Sequence, residues 1–168
     1  MKLYELTPKK NTAQAMVEFA IALPVLLMLL IGIMEVGRLL LMYALVSNAS
    51  RDAVRYASSV GIESTGAQYQ RYKFCAGIRA QAKASGYFLN IQDSEISIVY
   101  DTGPGGTSKG ICDAASGEDA DINASSGDRV TVTVSQTYSP LVTLLPIQPR
   151  TISSESSRTI LGIFELDN

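Results

Sequence analysis

Apolar positions are spread unevenly along this chain. From Phe19 to Met34 the residues read FAIALPVLLMLLIGIM, without a charge. Glu35 and Arg38 interrupt, and LLLMYALV carries the run on to Val46. As a helix, Phe19 to Val46 measures about 42 Å at ~1.5 Å per residue, more than the ~30 Å hydrocarbon core of a bilayer. Pro24, Gly32 and Gly37 do not argue against this, because membrane helices tolerate both residue types. A buried core helix rarely needs so long a run, so the pattern predicts a membrane helix. Beyond it, Ala49, Ala53 and Ala57 recur at i,i+4 spacing, with Arg51 and Arg55 alongside. A helix from about 14 to 60 fits, with Gly61 as its terminating glycine. The small residues allow close helix contact, and they equally reflect ordinary helix propensity.

The remainder reads as shorter elements. Residues 61–67 suggest a loop, and 68–85 a second helix ended by Gly86, with Tyr72, Cys75, Ala76, Ile78 and Ala82 near one face. Ile96, Ile98 and Tyr100 alternate with polar neighbours over 95–101, apart from Val99, and predict a strand. Val130, Val132 and Val134 alternate cleanly with Thr131, Thr133 and Ser135, so 129–137 is the clearest strand. Ser139-Pro140 resembles an N-cap and N1 pair opening a short apolar turn, LVTLL, and a last strand follows over 150–163. The fold class is α+β: a long N-terminal transmembrane helix, then a small exported domain with an antiparallel sheet and a helix. Thr102 to Gly127, rich in Gly, Ser and Asp, reads as a flexible loop.

Charge and composition narrow the chemistry. Charged residues make up 18%, below the average of about 25%. There is no His, which excludes Ser–His–Asp and Cys–His mechanisms and any His-based metal site. The net charge is −2, without a dense Lys/Arg cluster, so nothing points to nucleic acid. The stretch Gly103 to Gly110 fails as a phosphate loop, because Ser108 precedes Lys109 and Gly110 follows it. Asp119, Asp121 and Asn123 open like a calcium loop, but Ala124 stands at the glycine turn and Val130 at the bidentate glutamate. A looser set of Asp113, Glu118, Asp119, Asp121 and Asp128 reads first as a solvated acidic loop. Asn123-Ala124-Ser125 spells a glycosylation sequon, which carries no weight if the source is bacterial. Cys75 and Cys112 both fall in the exported part, where an even pair suggests a disulfide; two sulfurs alone build no four-ligand metal site. No nucleophile, base and oxyanion donor come together, so neither an enzyme nor a cofactor is expected.

Orientation follows from the flanks. Lys2, Lys9 and Lys10 against Glu5 give a local net of +2 ahead of the apolar run, which keeps the N-terminus in the cytoplasm and the C-terminal domain outside it. Arg38, Arg51 and Arg55 lie on the far side and weaken this, although Glu35 can neutralise Arg38 at i,i+3. The small-x-small triplet Ser47-Asn48-Ala49 lies beyond an apolar stretch too long for a secretory signal. Glu18 opens the run. It reads either as an interfacial carboxylate at a helix start or as a charge that meets a cation in an assembled state.

The segment AQAMVEF (Ala13 to Phe19), the Leu-Pro that follows at Leu23-Pro24, and Glu35 with Gly37-Arg38 carry a wider pattern. It resembles the N-terminus of TadE-like minor pilins of the tight-adherence (Tad/Flp) type IV pilus family. VTVTVSQTYSPLVTLLP and TISSESSR, between Val130 and Arg158, resemble that family's C-terminal strands more weakly. The resemblance implies cleavage by a prepilin peptidase between Ala13 and Gln14, with Ala13 where the family usually has Gly. It divides the chain into a leader (1–13), a hydrophobic transmembrane and assembly helix (14–60) and an exported head (61–168). Glu18, beside Phe19, would neutralise the new α-amine of a neighbouring subunit during assembly. The implied function is a minor pilin-like structural subunit, or pseudopilin, of a pilus for cell adhesion or a related secretion machine. Its partners would be other pilin subunits, the pilus assembly machinery, the peptidase and the inner membrane. The alternative is an unprocessed single-pass membrane-anchored binding module.

Overall fold

A computed structural model of the chain describes residues 11–64, 68–112, 122–142 and 148–162. The first helix, α1, spans Asn11–Ser58 without interruption, Pro24 included. It is the one described helix long and apolar enough to cross a membrane. Its two halves behave differently. From Met16 to Met34 the large apolar side chains are mostly exposed, with nothing among the described residues packed on them. From Val46 onward Val46, Ala49, Ser50, Ala53, Val54 and Ala57 are buried on one face, at alternating spacings of three and one. That is the stripe of a helix lying on a globular core. The alanine repeat faces the head of its own chain.

The head continues with two short paired strands, β1 (Ile62–Ser64) and β2 (Gln68–Gln70). After a 3-10 turn over Arg71–Lys73 comes α2 (Cys75–Ser85), and then β3 (Ile96–Asp101), β4 (Ser108–Cys112), β5 (Arg129–Tyr138) and β6 (Arg150–Thr159). The last four form one antiparallel sheet in the order β4-β3-β5-β6. Its helix-facing side buries Ile96, Ile98 and Tyr100 opposite Val134, Val132 and Val130. Where α1 crosses the sheet, Ser50 Oγ lies 3.1 Å from Ser154 Oγ and 3.0 Å from Ser156 Oγ. Small hydroxyl side chains let helix and strand approach while satisfying one another. α2 runs antiparallel beside α1: a Cβ at Gly77 would come within 2.7 Å of Tyr56 Oη, and Ser85 Oγ donates to Asp52 Oδ2 at 2.8 Å.

Several cross-links close the far part of the head. Cys75, at the start of α2, is disulfide-bonded to Cys112, at the end of β4, with Cα atoms 5.9 Å apart. Arg79 donates to the Cys112 carbonyl at 2.7 Å, and the Tyr100 hydroxyl donates to the Tyr72 carbonyl. Arg129 donates twice to Asp101, at 2.8 and 2.9 Å. That guanidinium, with the Gly103 N–H, holds the Asp101 carboxyl below its ordinary pKa.

Several boundaries differ from the sequence reading. α1 ends at Ser58 rather than 60. The predicted loop and second helix over 61–85 contain the β1–β2 pair, closed by Arg71 N–H donating to the Gly61 carbonyl at 3.3 Å; helix begins only at Cys75. The Tyr72 carbonyl is turned to the sheet through Tyr100, which a continuous helix would not permit. The flexible loop placed at 102–127 contains β4, an edge strand of Ser, Lys and Gly whose ladder bonds to β3 need no apolar alternation. The last strand stops at Thr159, four residues early, where Ile160 N–H turns to the Asp128 carbonyl at 2.8 Å. Asp128 itself accepts from the Ser125 N–H and hydroxyl. The leader up to residue 10, the acidic stretch 113–121 and most of the LVTLL turn lie outside the described residues.

Candidate functional site at the helix–head junction

Glu35 sits where the bare half of α1 meets the head. A carboxylate in so apolar a stretch needs partners, since burying an unpaired charge is costly. It is 2% exposed. The end of β5 supplies most of its partners. The Tyr138 hydroxyl donates to Glu35 Oε2 at 2.5 Å. The Leu141 and Val142 N–H groups donate to Oε1 at 2.7 and 3.2 Å. These two amides follow Pro140, where the chain leaves the sheet and has no ladder partner for them. Glu35 thus acts as a cap for that chain end, reached across more than a hundred residues of sequence.

Arg38 completes the junction. Its Nη1 reaches Glu35 Oε2 at 3.4 Å, a long contact for an ion pair. Its Nη2 donates to the Ser139 carbonyl at 2.8 Å, and its guanidinium lies 5.1 Å from the centre of the Tyr138 ring. The two charged residues, read from sequence as neutralising each other, spend most of their bonding capacity on the β5 end. Together they fix the direction in which the bare helix leaves the head.

The other predicted site residues lie apart from this junction. Ala13, Gln14, Glu18 and Phe19 are all exposed on the bare half of α1. Glu18 is 17 residues before Glu35, about 26 Å along the axis. Gln14 Nε2 donates to Glu18 Oε1 at 3.2 Å, an i,i+4 contact in the uncut chain. Cys75 and Cys112 are at the other end of the head. Among the described residues, no group of three or more acidic or Cys side chains is arranged to hold a metal ion. The sequence pattern does not single out Tyr138, and it reads Ser139 and Leu141 only as the start of an apolar turn, not as partners of Glu35 and Arg38. The one signal available was Glu35 itself, a carboxylate in an apolar run that requires more than Arg38.

Residues 13–55 match the family of TadE-like proteins. The match covers the bare helix, the Glu35–Arg38 pair and the buried alanine stripe as far as Ala53, and it stops before the sheet begins. It supports a pilin-like protein associated with Tad pili and, through its one long apolar helix, with a membrane. No curated protein and no solved structure matches the chain. Beyond residue 55, then, the head rests on its own geometry, and the TadE-like segment is the part of α1 that carries both the bare surface and the junction.

Proposed function

We propose that this chain is a minor pilin-like structural subunit of a Tad/Flp-type pilus or a related secretion machine. It is held in the inner membrane with its N-terminus cytoplasmic and its head outside, and it assembles through the exposed half of α1. The observation that carries this is the division of one continuous helix. Residues 16–34 present large apolar side chains that the described residues leave mostly exposed, whereas residues from 46 onward are built into the head. A surface of that size is covered by lipid before assembly and by neighbouring helices after it. Cleavage before Gln14 by a prepilin peptidase would release the leader and create an α-amine four residues before Glu18. In a low-dielectric bundle the Glu18 carboxylate of one subunit neutralises the amine of the next, which sets the register. The role is structural, without a catalytic step.

Substituting Glu18→Gln tests the assembly step. The side chain keeps its size and hydrogen bonding but loses its charge, and it is exposed on the bare half of α1, bonded to Gln14. Membrane insertion and head folding are expected to stay normal, while recovery with other pilus subunits falls several-fold in samples whose mature length is unchanged. Recovery at the wild-type level, with normal processing, contradicts an intersubunit charge pair.

A further inference from the structure

Two turns of the head come down beside α1 near the level where the bare helix ends. The first follows α2, which descends antiparallel to α1: Gly77 lies by Tyr56, Ser85 bonds Asp52, and Phe88 with Leu89 faces Arg38, Leu41, Met42 and Leu45. The chain reverses there through Asn90, at φ 49°. The second is the end of β5, where the Leu141 N–H meets Glu35. Both turns carry large apolar side chains into open space. Tyr87 is 79% exposed, Phe88 83% and Leu141 70%. The rings of Tyr87 and Phe88 pack edge to face, 5.7 Å apart, so the pair forms one aromatic tip. The helix surface at this level is apolar too, with Val36, Leu40, Leu41 and Tyr43 exposed.

The height matters. If the hydrocarbon core ends near Met34, residues 38–45 stand roughly 6–17 Å further along the axis. The lower part of that range coincides with the interfacial layer, about 5–8 Å thick on each side of a ~30 Å core. Tyr and other amphipathic aromatic residues are enriched at that depth. A soluble head has no reason to expose an aromatic pair and a leucine on the two turns that lie beside the exit of its membrane helix.

We propose that the underside of the head is a lipid-binding surface. The Tyr87–Phe88 turn and Leu141 insert into the outer interfacial layer of the membrane and seat the head on it before the subunit is drawn into an assembly. The occupant is the bilayer, because the surface is continuous with the bare apolar half of α1. This inference rests on the membrane-spanning reading of α1, and its test separates the two.

The chain contains no Trp, so a single substitution makes a unique fluorophore. The full chain is placed at one copy per nanodisc, with lipids brominated in the upper acyl chain or unbrominated. Three variants are compared: Phe88→Trp, Leu26→Trp in the bare helix, and Ile111→Trp on β4. Ile111 is paired through Val99 to Thr131, seven residues up β5 from Tyr138 and so about 23 Å further from the junction. The Phe88→Trp variant, placed at the interface, is expected to emit at shorter wavelength than Ile111→Trp and to lose intensity in brominated lipid. The Leu26→Trp variant should also be quenched, and Ile111→Trp should not. Quenching of Leu26→Trp with none of Phe88→Trp overturns the seating of the head and leaves the spanning helix intact. A blue-shifted Phe88→Trp without bromine quenching assigns the surface to a protein neighbour and also overturns it. An unquenched Leu26→Trp overturns both readings.

Discussion

Replacing Cys75 and Cys112 by serine together is expected to destabilise the head by about 3–4 kcal/mol, the chain-entropy value for a closed loop of this length. The bridge spans 37 residues and joins the first residue of α2 to the last residue of β4. Beyond the disulfide, β4 is held by its ladder to β3, the Arg79 bond to the Cys112 carbonyl and the bond from Asn123 N–H to the Lys109 carbonyl. It is an edge strand without an apolar repeat, so loss of the bridge should release it first. The measurement is a thermal melt of the full chain in detergent micelles, oxidised and reduced, beside the double serine variant. The oxidised chain should melt well above the other two, which should agree with each other. Equal melting of all three would contradict a stabilising bridge.

A second large effect is expected at Glu35. Glu35→Leu suits the apolar helix better by composition, yet it leaves the Tyr138 hydroxyl and the Leu141 and Val142 N–H groups without their acceptor. Glu35→Gln keeps one acceptor oxygen but no charge for Arg38, and it adds donors where donors already converge. The predicted order of stability is wild type, then Gln, then Leu, with the loss concentrated at the junction. Amide hydrogen exchange reads this directly. The Leu141 and Val142 amides should be protected in the wild type and exchange fast in Glu35→Leu, while the Val130, Val132 and Val134 amides keep their protection. Unchanged exchange at 141 and 142 would show that the carboxylate does not hold the β5 end.

Much of the architecture is legible in residue pattern. The apolar run defines most of α1, because its length and the absence of charge from Phe19 to Met34 suffice. The Val130, Val132, Val134 alternation marks β5, which the structure places in the sheet interior between β3 and β6. Val99 breaks the alternation of β3 because a central strand is covered in part on its other face as well. What escapes the pattern is long-range. β4 has no apolar period, and its position is set by ladder bonds and the disulfide. The helix starts at Cys75 rather than 68 because β2 and a 3-10 turn occupy 68–73, and Tyr100, 28 residues away, bonds the Tyr72 carbonyl there. Arg38 is near enough to Glu35 in sequence to be paired with it by spacing alone. Tyr138, Leu141 and Val142 are 103 to 107 residues away, and only the folded sheet brings them to the helix. The aromatic tip at Tyr87 and Phe88 is invisible for a related reason. An exposed aromatic pair is unremarkable in sequence and gains meaning only from its height beside α1.

The central claim is that a bare helix built for assembly begins at a processed end. The mass of the intact protein, isolated from its native membrane, tests this most directly. The account predicts a chain beginning at Gln14, with the leader MKLYELTPKKNTA removed and Glu18 as the fifth mature residue. A chain still beginning at Met1 in assembled material would contradict it, because without the new α-amine Glu18 has no cation to meet and the helix would serve as a plain anchor.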